Sequence, residues 1–188
     1  MKKQKVCIIG GSLAGLITAN AISKLNCKID LISNENYKKI KSNRTTAISQ
    51  NSLDFLNKLS ITKSFKKIIW PCTKMKIYVE NKNEVFQLEK NKNEKKVLYM
   101  LKNSEMIKML LKKLKKTKSI SMLKSKNISE IKNSGMLKSI KINKKTKKYN
   151  LIILCVGNNS DLVKKIFKNN KIENSYKEIS ITTNINHK

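Results

Sequence analysis

Val6-Cys7-Ile8-Ile9-Gly10-Gly11-Ser12-Leu13-Ala14-Gly15 is the stretch from which the fold can be read. Residues 6–9 form a short continuous apolar run, the appearance of a strand buried on both faces. Residues 13–25 carry apolar side chains at Leu16, Ile17, Ala19, Ala21, Ile22 and Leu25, a helical stripe. Residues 28–32 form a second β-rich run. Strand, glycine turn, helix and strand within about 30 residues predict one right-handed β-α-β unit. The chain has only 5 glycines, and Gly10, Gly11 and Gly15 fall where the strand gives way to the helix. That is the context a dinucleotide fingerprint requires. Gly10 permits the tight turn and Gly15 close helix–strand packing, while the N–H groups opening the helix offer a positive dipole end to a pyrophosphate. Residues 10–15, with Leu13 and Ala14 among them, are therefore candidate cofactor contacts.

The pattern departs from the fingerprint twice. Its middle glycine is Ser12 here, whose hydroxyl is free either to meet a phosphate or to cap the helix. The acidic residue expected about 20 positions on, at the end of the second strand, is Ser33. Asn34 and Glu35 follow it, so ribose contacts fall to Ser33 or shift to Glu35.

Beyond this unit, residues 48–59 read as a helix with Ile48, Leu53, Phe55, Leu56 and Leu59 on its apolar side. Residues 75–80 and 84–89 read as a hairpin closed at 81–83. Asn103 or Ser104 can cap a helix to about residue 116, with Met106, Ile107, Leu110, Leu111 and Leu114 as its stripe and lysines opposite. Residues 119–123, 127–132 and 136–142 are β-like, and 143–148 read as a charged loop. A second fully apolar strand at 151–156 ends at Gly157 and leads into a helix over 161–167. A last strand-like run spans 178–185.

Composition narrows the function. There are 42 basic and 12 acidic residues, a formal net charge of +30, a balance that ordinarily points to nucleic acid or anionic lipid. Yet Arg44 is the sole arginine, and the lysines are spread along the whole chain among asparagines and isoleucines. That is the look of compositional drift, so no specific nucleic-acid binding is expected; weak attraction to lipid headgroups follows from the charge alone. Four scattered cysteines and one histidine, His187, argue against structural zinc and a disulfide framework and make a reducing cytoplasm the default compartment. No apolar run approaches the roughly 20 residues of a membrane span.

At Arg44-Thr45-Thr46-Ala47-Ile48-Ser49 the sequence becomes specific. This segment, after the second strand, resembles the ubiquinone-biosynthesis flavin hydroxylases, members of the wider para-hydroxybenzoate-hydroxylase-like FAD monooxygenases. Residues 10–15 resemble the family's first fingerprint, Tyr99-Met100-Leu101-Lys102-Asn103 the segment before its third helix, and residues 151–160 the strand that normally ends Gly-Ala-Asp-Gly. The resemblance covers essentially the whole chain. It implies an α/β fold: a Rossmann-like FAD-binding domain of the glutathione-reductase type with part of a β-rich substrate domain. The former would take residues 1–72 and 98–168, the latter 73–97 and 169–188. It implies FAD as cofactor and NAD(P)H as co-substrate, with transfer of one atom of O2 to a small aromatic ring, a polyprenylated phenol at the membrane surface being in keeping. No catalytic triad is required, so no catalytic residue is assigned. By the same resemblance Arg44 would lie over the cofactor near its ribose and pyrophosphate, where a guanidinium suits phosphate oxygens, and Ile128 would touch adenine through its backbone. The aspartate of the second motif is Val156 here, while Gly157 remains. The family's later Gly-Asp motif does not occur in these 188 residues, so an N-terminal part of a longer protein is expected, inactive alone. Two rivals stand beside this reading. A plain Rossmann NAD(P) reductase should continue in repeating β-α units, and a lysine-rich binding protein should gather its basic residues on one face.

Overall fold

The computed structural model describes residues 3–37, 44–61, 65, 68–79, 86–89, 96–125, 128–157 and 161–167. The expected turn at 81–83, the segment 158–160 and the strand at 178–185 lie outside these residues. In chain order the elements are β1 (Gln4–Ile9), α1 (Leu13–Ile22), β2 (Cys27–Ser33), β3 (Thr45–Ile48), α2 (Gln50–Lys58), β4 (Ile69–Cys72), β5 (Lys74–Ile77), β6 (Phe86–Glu89), β7 (Leu98–Lys102), α3 (Asn103–Lys115), β8 (Ile120–Lys124), β9 (Ile128–Ser134), β10 (Leu137–Ile142), β11 (Lys145–Tyr149), β12 (Leu151–Leu154) and α4 (Asp161–Ile166). The chain divides into two compact units, residues 1–39 with 110–188, and residues 40–109.

The first unit is a mixed α/β domain. Its parallel sheet has the order β12-β1-β2-β8, with Val6 opposite both Leu151 and Ile29. The central β1 carries the continuous apolar run of residues 6–9 and β2 the β-rich run of 28–32, and Cys7, Ile8, Ile29, Leu31 and Ile32 are all buried. Successive side chains of a strand face opposite ways. Cys7, Ile9 and Ile32 form one core with Ile140, Ile142 and Tyr149 of the antiparallel β11-β10-β9 sheet. Val6 and Ile8 point to the other face, and α1 packs on β1 and β2 with Leu16 and Ala19 buried.

In the second unit β7 lies between β3 and β4 in an antiparallel sheet, and β5 pairs with β6. The Asn103 backbone N–H donates to the Arg44 carbonyl at 3.0 Å, tying the start of α3 to the start of β3.

Two expectations need correction. Residues 48–59 are not one helix: Ile48 ends strand β3 opposite Tyr99, and the helix begins at Gln50 after Ser49, whose hydroxyl accepts the Ser52 N–H. Its apolar side chain satisfies a strand as well as a helix, and pairing with β7 decides. Residues 143–148 are not a loop either. Asn143 and Lys144 both have positive φ, 46° and 68°, the backbone sign a two-residue hairpin turn needs. The following Lys-Thr-Lys-Lys-Tyr run then pairs with β10 from Lys145 to Tyr149.

Candidate functional site

A cleft of about 610 Å³ opens at the carboxyl ends of β1, β2, β8 and β12. Its position follows from topology. The chain runs from β1 outward to β2 and β8 and returns to the other side of β1 as β12, so strand order reverses at β1. Ligands of open α/β sheets sit at such a switch point, where loops diverge and backbone ends are free.

Gly10 makes the turn that floors the cleft. Its φ is +116°, and a Cβ would lie 2.2 Å from the Cys155 carbonyl oxygen, so only glycine takes the position. Gly10 N–H donates to the Ile32 carbonyl at 2.9 Å and Cys155 N–H to the Ile9 carbonyl at 2.7 Å. Both neighbouring strand ends are thereby pinned to the turn. Gly15, in the first turn of α1, packs so tightly that a Cβ would stand 1.9 Å from the Gly10 carbonyl oxygen. The helix can then start right beneath the turn.

Ser12, the N-cap of α1, settles one alternative: its hydroxyl makes no cap bond and donates instead to the Cys155 carbonyl at 3.4 Å. No acidic residue stands in the first turn. The positive end of α1 is therefore left for an external anion, which is the condition a pyrophosphate needs. On that observation the residues present fit the ADP half of a dinucleotide.

Gly10, Gly11, Ser12, Ser33, Asn34 and Glu35 all line this cleft, and Ile128 and Gly157 border it as well. Leu13, Ala14 and Gly15 lie in the first turn of α1 and are not among the residues that line the cleft. Arg44 is exposed and belongs to the second unit. Ser33 is buried, and its Oγ accepts the Glu35 N–H at 3.0 Å. Sequence reasoning missed Tyr37, whose hydroxyl lies 3.1 Å from both the Gly11 carbonyl and Ser33 Oγ. Burial above all, with the charge of Glu35, pushes the Tyr37 hydroxyl up from its ordinary value against the lowering effect of the Ser33 bond, so it is a donor at neutral pH. Nothing in an Asn-Glu-Asn-Tyr run announces this contact. Ser125, Asp161 and Lys165 also reach the cleft without a motif, and Cys155 reaches it from the 151–160 segment.

A wider groove, about 980 Å³, runs along the opposite, amino-terminal ends of the same strands, with Lys3, Lys5, Lys28, Lys118, Lys147 and Lys148 on its walls. It is larger but lacks the glycine turn and helix start, so its size does not make it the nucleotide site. Beside it Asp30 accepts the Tyr149 hydroxyl at 2.6 Å and the Lys147 ammonium at 3.0 Å. Burial, then the nearby Asp30 charge, pushes the Cys7 thiol up to about 12.

The family described as FAD binding domain matches residues 3–166. The chain belongs to this FAD-binding domain family. Among solved structures it is similar to p-nitrophenol 4-monooxygenase PnpA from Pseudomonas putida DLL-E4, with 15% identity, a TM-score of 0.71, and 88% of this chain matching 44% of that one. A mutant of P. aeruginosa PqsL gives 10% identity and a TM-score of 0.77 over 93% of this chain and 48% of that one. The flavin-dependent monooxygenase PieE, solved with FAD and substrate, gives 14% and 0.71 over 88% and 32%. Such identities carry the fold alone, and the chain spans less than half the length of these structures. No curated protein matches it. No described helix of this family member is long and apolar enough to cross a membrane.

Proposed function

We propose that this FAD-binding domain serves an FAD-dependent aromatic-ring monooxygenase of the ubiquinone-biosynthesis type, using NAD(P)H and O2. The observation that carries the cofactor part is the uncapped start of α1, which faces a cleft at the switch point of the parallel sheet. Backbone amides after Gly10 would hold the pyrophosphate, Glu35 the ribose, and the Ile128 strand and Gly157 would border the cofactor. Arg44, by family resemblance, would add a guanidinium to the phosphates. When bound, the flavin supplies two-electron chemistry with O2, while protein supplies position and exclusion of water. The Arg44-Thr45-Thr46-Ala47-Ile48-Ser49 segment is what favours the ubiquinone-type substrate, a small phenol with a polyprenyl tail. Residues 73–97 would belong to the substrate domain. The basic surface would favour peripheral contact with an anionic membrane face, with no specific nucleic-acid partner.

Titrating the isotopically labelled chain with ADP and following amide resonances tests the cofactor part. Shifts are expected at residues 10–15, 35 and 157; a spectrum unmoved at 10–15 refutes it. For the reaction, the 188-residue chain alone should oxidise no NAD(P)H, whereas NAD(P)H oxidation by a longer flavin-loaded protein that carries this domain should quicken when a prenylated phenol is added. Oxidation indifferent to phenols would point to a reductase instead.

A further inference from the structure

Ser33 stands where dinucleotide folds place an acidic ribose acceptor, and its side chain is engaged elsewhere. Only 7% of Ser33 is exposed, and its Oγ accepts from the Glu35 backbone and lies 3.1 Å from the Tyr37 hydroxyl. A serine oxygen has two lone pairs and one proton, and a tyrosine hydroxyl one proton to give. With the Tyr37 proton on the Gly11 carbonyl, the serine proton is free to return to Tyr37, and every group is satisfied. One hydroxyl thus joins the phosphate-binding turn to the loop that carries Glu35. The space between them is filled: a Cβ on Gly11 would fall 2.0 Å from both Ser33 Oγ and Tyr37 OH. Glu35 itself is exposed on the cleft wall, two residues beyond the usual acidic position.

We propose that Tyr37 is a positioning residue for nucleotide recognition: by locking Ser33 to Gly11 it holds Glu35 as the carboxylate that meets the adenosine ribose. The inference rests on the cofactor reading above. Serine at the strand end then has a purpose. It gives up the ribose contact and becomes the anchor for a relocated carboxylate, and Tyr37 fixes the distance from that carboxylate to the pyrophosphate turn. Tyr37 touches no part of the nucleotide itself.

The probes are ADP and 2′,3′-dideoxy-ADP, which lacks both ribose hydroxyls, measured by calorimetry on the 188-residue chain. Wild type should bind ADP roughly tenfold tighter, the discrimination a charge-assisted hydrogen bond supplies. Glu35→Ala should bring the ratio near one while leaving dideoxy-ADP affinity within about twofold. Tyr37→Phe, checked by thermal melting for an intact fold, should lower the ratio in the same way. Ser33→Ala, which removes the other end of the lock, should do likewise and serves if Tyr37→Phe does not fold. A merely structural role would weaken both nucleotides equally. An unchanged ratio in Tyr37→Phe and Ser33→Ala, or in Glu35→Ala, overturns this inference and leaves the cofactor site standing. Failure of wild type to bind ADP at all overturns both.

Discussion

Gly15 shows how little room a single methyl group has in this fold. An alanine there would place its Cβ 1.9 Å from the Gly10 carbonyl oxygen, so either α1 or the Gly10 turn must move. Overpacking of this kind costs about 1–3 kcal/mol. Gly15→Ala should lose that much in urea denaturation and should also lose ADP affinity, because the turn is what shifts. Cys7 gives a second test at this scale. Its thiol is fully buried and is held at about 12, above its ordinary 9.0. A raised value means that the protonated thiol is favoured by folding, a contribution whole below pH 9 and fading as pH climbs towards 12. Tyr149, also pushed up from its ordinary 10.0 by burial and by its bond to Asp30, acts in the same direction. Stability should therefore fall from pH 9 upward. Cys7→Ala should flatten that fall by up to about 1.4 kcal/mol per pH unit. Equal slopes in the two proteins, measured by denaturation at several alkaline pH values, would contradict the assignment. Both residues were legible in part: the glycine spacing named Gly15, whereas nothing in the sequence put Asp30 and Tyr149 beside Cys7.

At the scale of elements, the hairpin joining β10 to β11 carries a local conflict. Lys144 sits at φ 68°, a conformation that crowds any Cβ and costs roughly 1–2 kcal/mol. Lys144→Gly should relieve it and raise the melting temperature, with a gain of about 0.5–1 kcal/mol after the extra entropy of the unfolded chain is counted. A drop would show that the lysine earns its place through a contact. This hairpin also shows why the charged stretch reads as a loop in the sequence. Lys145, Thr146, Lys147 and Lys148 show no apolar alternation, and only Tyr149 is buried. The strand exists because β10 offers it a partner, not because of its own pattern. Helix α3 is the opposite case. Met106, Leu110, Leu111 and Leu114 are all buried, as their spacing required.

At the scale of the whole molecule, charge dominates. A net +30 on 188 residues makes self-repulsion a standing cost to folding. Exposed ion pairs, such as Lys74 with Glu89 at 2.6 Å and Lys108 with Glu105 at 2.7 Å, contribute little against it. Raising ionic strength from about 0.01 M, where the Debye length is roughly 30 Å, to 0.15 M, where it is about 8 Å, should raise the melting temperature. A melting temperature that falls with salt would mean that the surface pairs outweigh the repulsion. The lysine bias also hid the functional landscape from composition. Among the described residues six lysines line the broad groove at the amino ends of the sheet, whereas Lys165 is the only lysine bordering the cleft at the carboxyl ends. The cleft relies on backbone and helix dipole, which carry no compositional signature.

The sequence by itself determined the first β-α-β unit, since the apolar run, the glycines and the helical stripe are covalent neighbours whose spacing needs no distant partner. Only the tertiary structure decided what surrounds that unit. Bringing β12 beside β1 sets the Cys155 carbonyl against Gly10 and Ser12 across more than 140 residues. Folding the end of β2 back onto the turn joins Tyr37 to Gly11. Such contacts arise when chain ends are closed by the burial of other surfaces, and periodicity along a segment holds no record of which surfaces those are.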